Sequence, residues 1–132
     1  ASPIEQHAVS AETATLVRET LREVMTDGTG RASQSEQYQL FGKSGTAQMP
    51  RVEGGGYHED RYISSFIAGA PLDQPAVVVL CVIDDPDRSL GAWYGGRVAG
   101  PVVRDMIDFT LEYLGVPPDL PLDDDSTLAV QR

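Results

Sequence analysis

The sequence predicts an α+β fold: an antiparallel sheet segment of about three strands, flanked by an N-terminal and a C-terminal helix. Three observations carry this. Apolar residues recur at helical spacing over about 11–27, three strand-like runs follow between 38 and 83, and a second helical stripe spans about 98–114. The short connections between the strands favour an antiparallel meander, since parallel neighbours need a long crossover.

Residues 1–9 read as irregular, and Ser10 is the expected N-cap of the first helix. Ala14, Val17, Leu21, Val24 and Met25 form its apolar stripe, Glu12 suits the first turn, and Gly28 after Asp27 marks the stop. Gly28-Thr29-Gly30 and the polar Ser33-Gln34-Ser35-Glu36 form a loop, after which the first strand is expected from near Tyr38 to Met49-Pro50. The glycine-rich stretch Glu53–His58 reads as an exposed, mobile connector. Tyr62–Gly69 is the second strand and Leu72-Asp73-Gln74-Pro75 a turn. Ala76–Ile83 is the third strand, whose unbroken apolar character predicts burial on both faces. A loop carrying Trp93-Tyr94-Gly95-Gly96 then leads to the last helix. Pro101 fits its first turn, Val102, Met106, Phe109, Thr110 and Tyr113 share a stripe, and Gly115 with Pro117-Pro118 ends it. From Asp119 the chain lacks aromatics and holds Asp123-Asp124-Asp125, so residues 1–118 are the folded portion and 119–132 an acidic, disordered tail.

A chain of 132 residues with 41% hydrophobic content has room for one modest core. Ten basic residues against twenty acidic give a net charge of -10, and the arginines are scattered, which argues against a nucleic-acid or anionic-membrane partner. The single cysteine, Cys81, cannot form an intrachain disulfide and sits in an apolar run, which predicts a buried, inert thiol. That run is far shorter than the roughly 20 residues of a membrane helix, and no signal peptide opens the chain, so this segment is expected to be soluble. His7 and His58 stand apart from each other and from Cys81, which predicts no metal site. Asp84 and Asp85, adjacent at a strand end, point apart and form no catalytic pair.

The most informative stretch is Lys43-Ser44-Gly45-Thr46, which contains the only lysine. Alternation along a strand puts Lys43 and Gly45 on one side and Ser44 and Thr46 on the other, and a glycine allows close approach of a ligand or another backbone. The run therefore reads as the wall of a site. The bland alternative is a solvated lysine that discourages edge pairing. A phosphate loop is excluded, because Gln37 stands where that motif needs a glycine five residues before Gly42.

Gly42-Lys43-Ser44-Gly45-Thr46-Ala47-Gln48 resembles the Lys-Thr/Ser-Gly box of the penicillin-recognising serine acyltransferases. The flanks Leu21–Ala32, Phe66–Pro71, Val78–Pro86 and Trp93–Pro101 are similar, in order and spacing, to the C-terminal third of the transpeptidase domain of class B penicillin-binding proteins. The resemblance spans roughly residues 8–118 and implies part of a septum- or elongation-type peptidoglycan D,D-transpeptidase. It further implies a serine acyl-enzyme without metal or organic cofactor, in a membrane-anchored parent on the outer side of the bacterial cytoplasmic membrane. Two family boxes are missing. The residue three places before Lys43 is Leu40, so no Ser-x-x-Lys nucleophile box exists, and with no asparagine there is no Ser-x-Asn box. The chain is thus expected to be one piece of an enzyme and inactive alone.

By the same resemblance, Lys43 would bond the missing Ser-x-Asn serine and aid proton transfer, and the Thr46 backbone N–H would serve the oxyanion hole. The Ser44 and Thr46 hydroxyls would hold the carboxylate of a D-Ala-D-Ala stem peptide or a β-lactam. Gly45, Tyr94 and Gly95 would lie beside the substrate. The implied partners are the remainder of the transpeptidase domain, peptidoglycan stem peptides, β-lactams, and division or elongation proteins. A D,D-carboxypeptidase, a serine β-lactamase, or a non-catalytic module binding muropeptides or protein are the alternatives.

Overall fold

The computed structural model describes residues 8–90 and 92–121. Helix α1 (Ala11–Thr26) starts where Ser10 Oγ accepts the Thr13 N–H at 3.1 Å, satisfying one of the orphan donors of the first turn. Its buried anchor is Met25, while Leu16 and Val17 remain exposed. The chain then reverses through a 3-10 turn (Arg31–Ser33), held by Gln34 Nε2 donating to the Met25 carbonyl at 2.8 Å.

Strands β1 (Phe41–Pro50), β2 (Tyr57–Ala70) and β3 (Val77–Asp84) form an antiparallel sheet in the order β1-β2-β3, the meander expected from the short connections. β1 begins at Phe41 rather than near Tyr38, because Tyr38 is recruited into the core and donates its hydroxyl to the Val116 carbonyl at 2.8 Å. β2 begins at Tyr57, earlier than the sequence suggests. Gly54, Gly55 and Gly56 all take positive φ (82°, 71°, 77°), a conformation costly for other residues, and this lets the hairpin close tightly enough for Tyr57 to pair with Pro50.

The register places Ser44 opposite Phe66 and Phe66 opposite Cys81. Phe66, Ala68 and Ala70 consequently share a face with Val77, Val79, Cys81 and Ile83. That face packs on Val103, Ile107 and Leu111 of helix α3 (Gly100–Tyr113). The opposite face shows Ile67, Val78, Leu80 and Val82, all 41–59% exposed. The expectation that the third strand is buried on both faces is therefore corrected: its burial alternates, because among the described residues a helix covers only one side of it. Cys81 is half-buried on the covered side rather than enclosed.

The last helical segment divides into a short α2 (Gly95–Val98) and α3, separated at Ala99. α3 begins within two residues of the expected start and holds Pro101 in its first turn, as expected. Pro101 has no N–H to give the Arg97 carbonyl, and its ring crowds that group, so α2 does not run on into α3. The Trp93-Tyr94-Gly95-Gly96 segment is thus not wholly a loop: Tyr94 is the N-cap and the glycines are helical. At the far end Gly115, with φ 68°, supports paired bonds from Gly115 N to the Glu112 carbonyl (3.0 Å) and from Val116 N to the Leu111 carbonyl (2.9 Å). This C-terminal cap turns Val116 onto the core. Asp119 and Leu120 then dock, both donating backbone N–H groups to the Gln37 carbonyl at 3.1 Å, while Asp119 Oδ1 accepts from Gln39 N at 2.7 Å. The rest of the expected acidic tail and His7 lie outside the described residues.

Ser35 ties the loop before β1 to α3 by donating to Asp108 Oδ1 at 2.7 Å. Partial burial raises the Asp108 carboxyl above the ordinary aspartate value; the Ser35 bond and Arg104 oppose that shift, while Asp105 and Glu36 add to it. A raised folded value means the native state holds this proton over a pH range in which the unfolded chain has lost it. Stability from this group is therefore fully present below the ordinary aspartate value and is lost as pH rises through the raised one. Asp108→Asn keeps an acceptor for Ser35 and removes the titration. The difference between wild-type and variant urea midpoints should change across that window; a constant difference would show that Asp108 titrates normally.

Candidate active site

The cleft of interest forms where α2 meets β1. Ser44 and Thr46 lie on the α3-facing side of the sheet, since they pair with Phe66 and Ser64 of the core face. Lys43 and Gly45 lie on the other, as alternation requires. Three contacts hold α2 and the residues leading into it, two to the sheet and one to the 3-10 turn. Gly95 N donates to Thr46 Oγ1 at 3.1 Å, the buried Ser33 hydroxyl donates to the Gly96 carbonyl at 3.1 Å, and the Ser64 hydroxyl donates to the Trp93 carbonyl.

The two glycines are required by proximity. A Cβ on Gly95 would sit 2.5 Å from the Gly45 carbonyl oxygen and closer still to that of Ser65, and one on Gly96 would collide with the Thr29 carbonyl. Backbone packs directly on backbone here, which only glycine permits.

The resulting cleft has a volume of about 220 Å³ and is lined by Thr29, Ser44, Thr46, Tyr94, Gly96 and Arg97. Its hydroxyls are arranged to donate. Thr29 Oγ1 and Ser44 Oγ share one hydrogen bond of 2.7 Å, which leaves one of their two protons free. Thr46 Oγ1 accepts from Gly95 N, which leaves its own proton free as well. Two O–H donors and a guanidinium around an exposed opening suit an anionic oxygen ligand. Tyr94, 57% exposed, forms one side and stacks on Trp93 with ring centroids 4.9 Å apart. Trp93 is in turn capped by the Arg88 guanidinium at 4.7 Å from its centroid.

Of the residues singled out in the sequence, the fold brings Ser44, Thr46 and Tyr94 into one lining. Gly45 and Gly95 lie behind it as spacers, and the exposed Lys43 is on the opposite face with Nζ donating to the Ser44 carbonyl at 2.8 Å. Thr29, Gly96 and Arg97 were missed. Thr29 sits 15 positions from Ser44, and its only sequence signal is the Gly28-Thr29-Gly30 punctuation. Among the described residues no cluster of His, Cys, Asp and Glu is placed to hold a metal, and no helix is long and apolar enough to cross a membrane.

The family described as Penicillin binding protein transpeptidase domain matches residues 1–108. Stage V sporulation protein D of Bacillus subtilis is 41% identical over 118 residues, covering 89% of this chain and 18% of that protein. The probable peptidoglycan D,D-transpeptidase PenA of Neisseria flavescens is 35% identical over 130 residues, covering 98% of this chain and 32% of that protein. The chain thus spans less than a third of the length of these curated relatives. Among solved structures, the transpeptidase domain of Burkholderia pseudomallei penicillin-binding protein 3 superposes with a TM-score of 0.74 at 38% identity, covering 85% of this chain and 33% of that one. Penicillin-binding protein 3 of Mycobacterium tuberculosis, complexed with ampicillin, gives 0.72 at 34% identity, covering 83% of this chain and 26% of that one.

Proposed function

Because this chain belongs to the penicillin-binding-protein transpeptidase domain family, we propose that it forms the Lys-Ser-Gly-Thr wall of a peptidoglycan D,D-transpeptidase whose nucleophile lies elsewhere in the protein. The observation that carries this reading is the donor-rich cleft of Ser44, Thr46 and Thr29 on the strand bearing the box. The two free hydroxyl protons receive the terminal carboxylate of a D-Ala-D-Ala stem peptide, or of a β-lactam that mimics it. The Thr46 backbone N–H stabilises the oxyanion as the nucleophilic serine attacks the scissile carbonyl. Lys43, on the other face of β1, assists proton transfer from that side. Tyr94 flanks the acyl donor.

The exposed apolar face of Ile67, Val78, Leu80 and Val82, together with the free edge of β3, supports the rest of the domain as the structural partner. The parent works in the bacterial cell envelope, on the stem peptides of the wall and alongside division or elongation proteins.

Neither Ser-x-x-Lys nor Ser-x-Asn occurs in the 132 residues, so this chain alone should not be acylated. Incubation with a fluorescent penicillin followed by intact-mass measurement is expected to show only the unmodified mass. A stoichiometric penicilloyl adduct would place a nucleophile inside the chain and overturn the assignment.

A further inference from the structure

The hydroxyls of Ser44, Thr46 and Thr29 are neutral, and the box lysine does not line their cleft. The cation that does is Arg97, on α2. It is exposed and, among the described residues, forms no ion pair. Its backbone is well fixed: Arg97 N donates to the Tyr94 carbonyl at 2.8 Å, and α2 is held by the close approach of Gly95 and Gly96 to β1 and to Thr29. The guanidinium is therefore presented from a rigid base beside two free O–H donors. The chain as a whole carries an excess of ten negative charges, which disfavours approach of an anion unless a local cation compensates.

Resting on the transpeptidase reading, we propose that Arg97 is a specificity-determining residue that engages the carboxylate of the acyl donor, together with Ser44 and Thr46. A planar guanidinium can take both oxygens of a carboxylate, and a charge-assisted bond of this kind is stronger than one from a hydroxyl. Arg97 thereby selects donors with a free carboxylate over neutral ones. It acts on binding and leaves the acyl-transfer step to other groups.

The test uses the complete transpeptidase containing this chain, as wild type, Arg97→Gln and Arg97→Lys. Second-order acylation rates are measured with benzylpenicillin and with its methyl ester, which lacks the negative charge. The ratio of the two rates should fall about ten-fold or more in Arg97→Gln, a size expected for a lost hydrogen bond to a charged group, and recover partly in Arg97→Lys. The loss should appear in the apparent dissociation constant for benzylpenicillin rather than in the limiting acylation rate. If both rates fall by one factor and the ratio stays at its wild-type value, Arg97 is structural and the inference fails while the transpeptidase reading stands. If wild type forms no adduct with benzylpenicillin, the transpeptidase reading fails, and this one with it.

Discussion

Lys43→Ala in the complete transpeptidase is expected to slow penicillin acylation by about a hundred-fold or more, the scale of a lost proton-transfer or charge-stabilising group. Lys43 is exposed on a strand whose outer edge has no partner among the described elements, and among the described residues its side chain bonds only to the neighbouring Ser44 carbonyl. Removing such a side chain should leave the unfolding midpoint within the small range typical of surface substitutions. The prediction is a separation: a large kinetic loss with an unmoved urea midpoint. Acylation at the parental rate would reduce Lys43 to a charge that blocks edge pairing.

The second large effect is expected at Gly95. An alanine there must push its Cβ against two backbone carbonyl oxygens, those of Ser65 and Gly45, neither of which can swing aside as a side chain would. Either α2 lifts from β1 or the sheet deforms, at a cost of about 3 kcal/mol by analogy with overpacked cores. Lifting α2 also breaks the bond from Gly95 N to Thr46 Oγ1 and opens the cleft between Tyr94 and Ser44. Gly95→Ala should therefore lower the urea midpoint and acylation together. Gly54→Ala is the control, since its Cβ would meet open space and only the positive φ of 82° is penalised, at about 1–2 kcal/mol. A Gly95 variant no less stable than the Gly54 one would mean that α2 is not held by backbone contact.

Several elements were legible because their signals are local. Ser10 caps α1 through a bond to a residue three positions on, and Gly115 ends α3 because the cap needs a positive φ. The Lys-Ser-Gly-Thr box divided its side chains between the faces of β1 as alternation demands. The run Val77–Ile83 misled for the converse reason. An apolar string has no period, so it cannot report how many faces are covered, and the alternating exposure of Val78, Leu80 and Val82 became visible only with the layers in place. Pro101 marks the start of the last helix because its fixed φ and missing N–H suit a first turn, whereas the four residues of α2 are too few to leave a helical period in the sequence.

The sequence by itself determined the order of helices and strands, the meander, the family box and the absence of a nucleophile motif, since each depends on residues near one another in the chain. Tertiary structure alone decided that Thr29 shares a hydrogen bond with Ser44, that Gly95 and Gly96 are helical contact points rather than part of a loop, and that Arg97 supplies the cation of the hydroxyl cleft while Lys43 faces the other way. The physical reason is that the cleft is made by docking α2 and the Thr29 loop onto β1, and what such docking brings together depends on packing and register, which no spacing along the chain encodes.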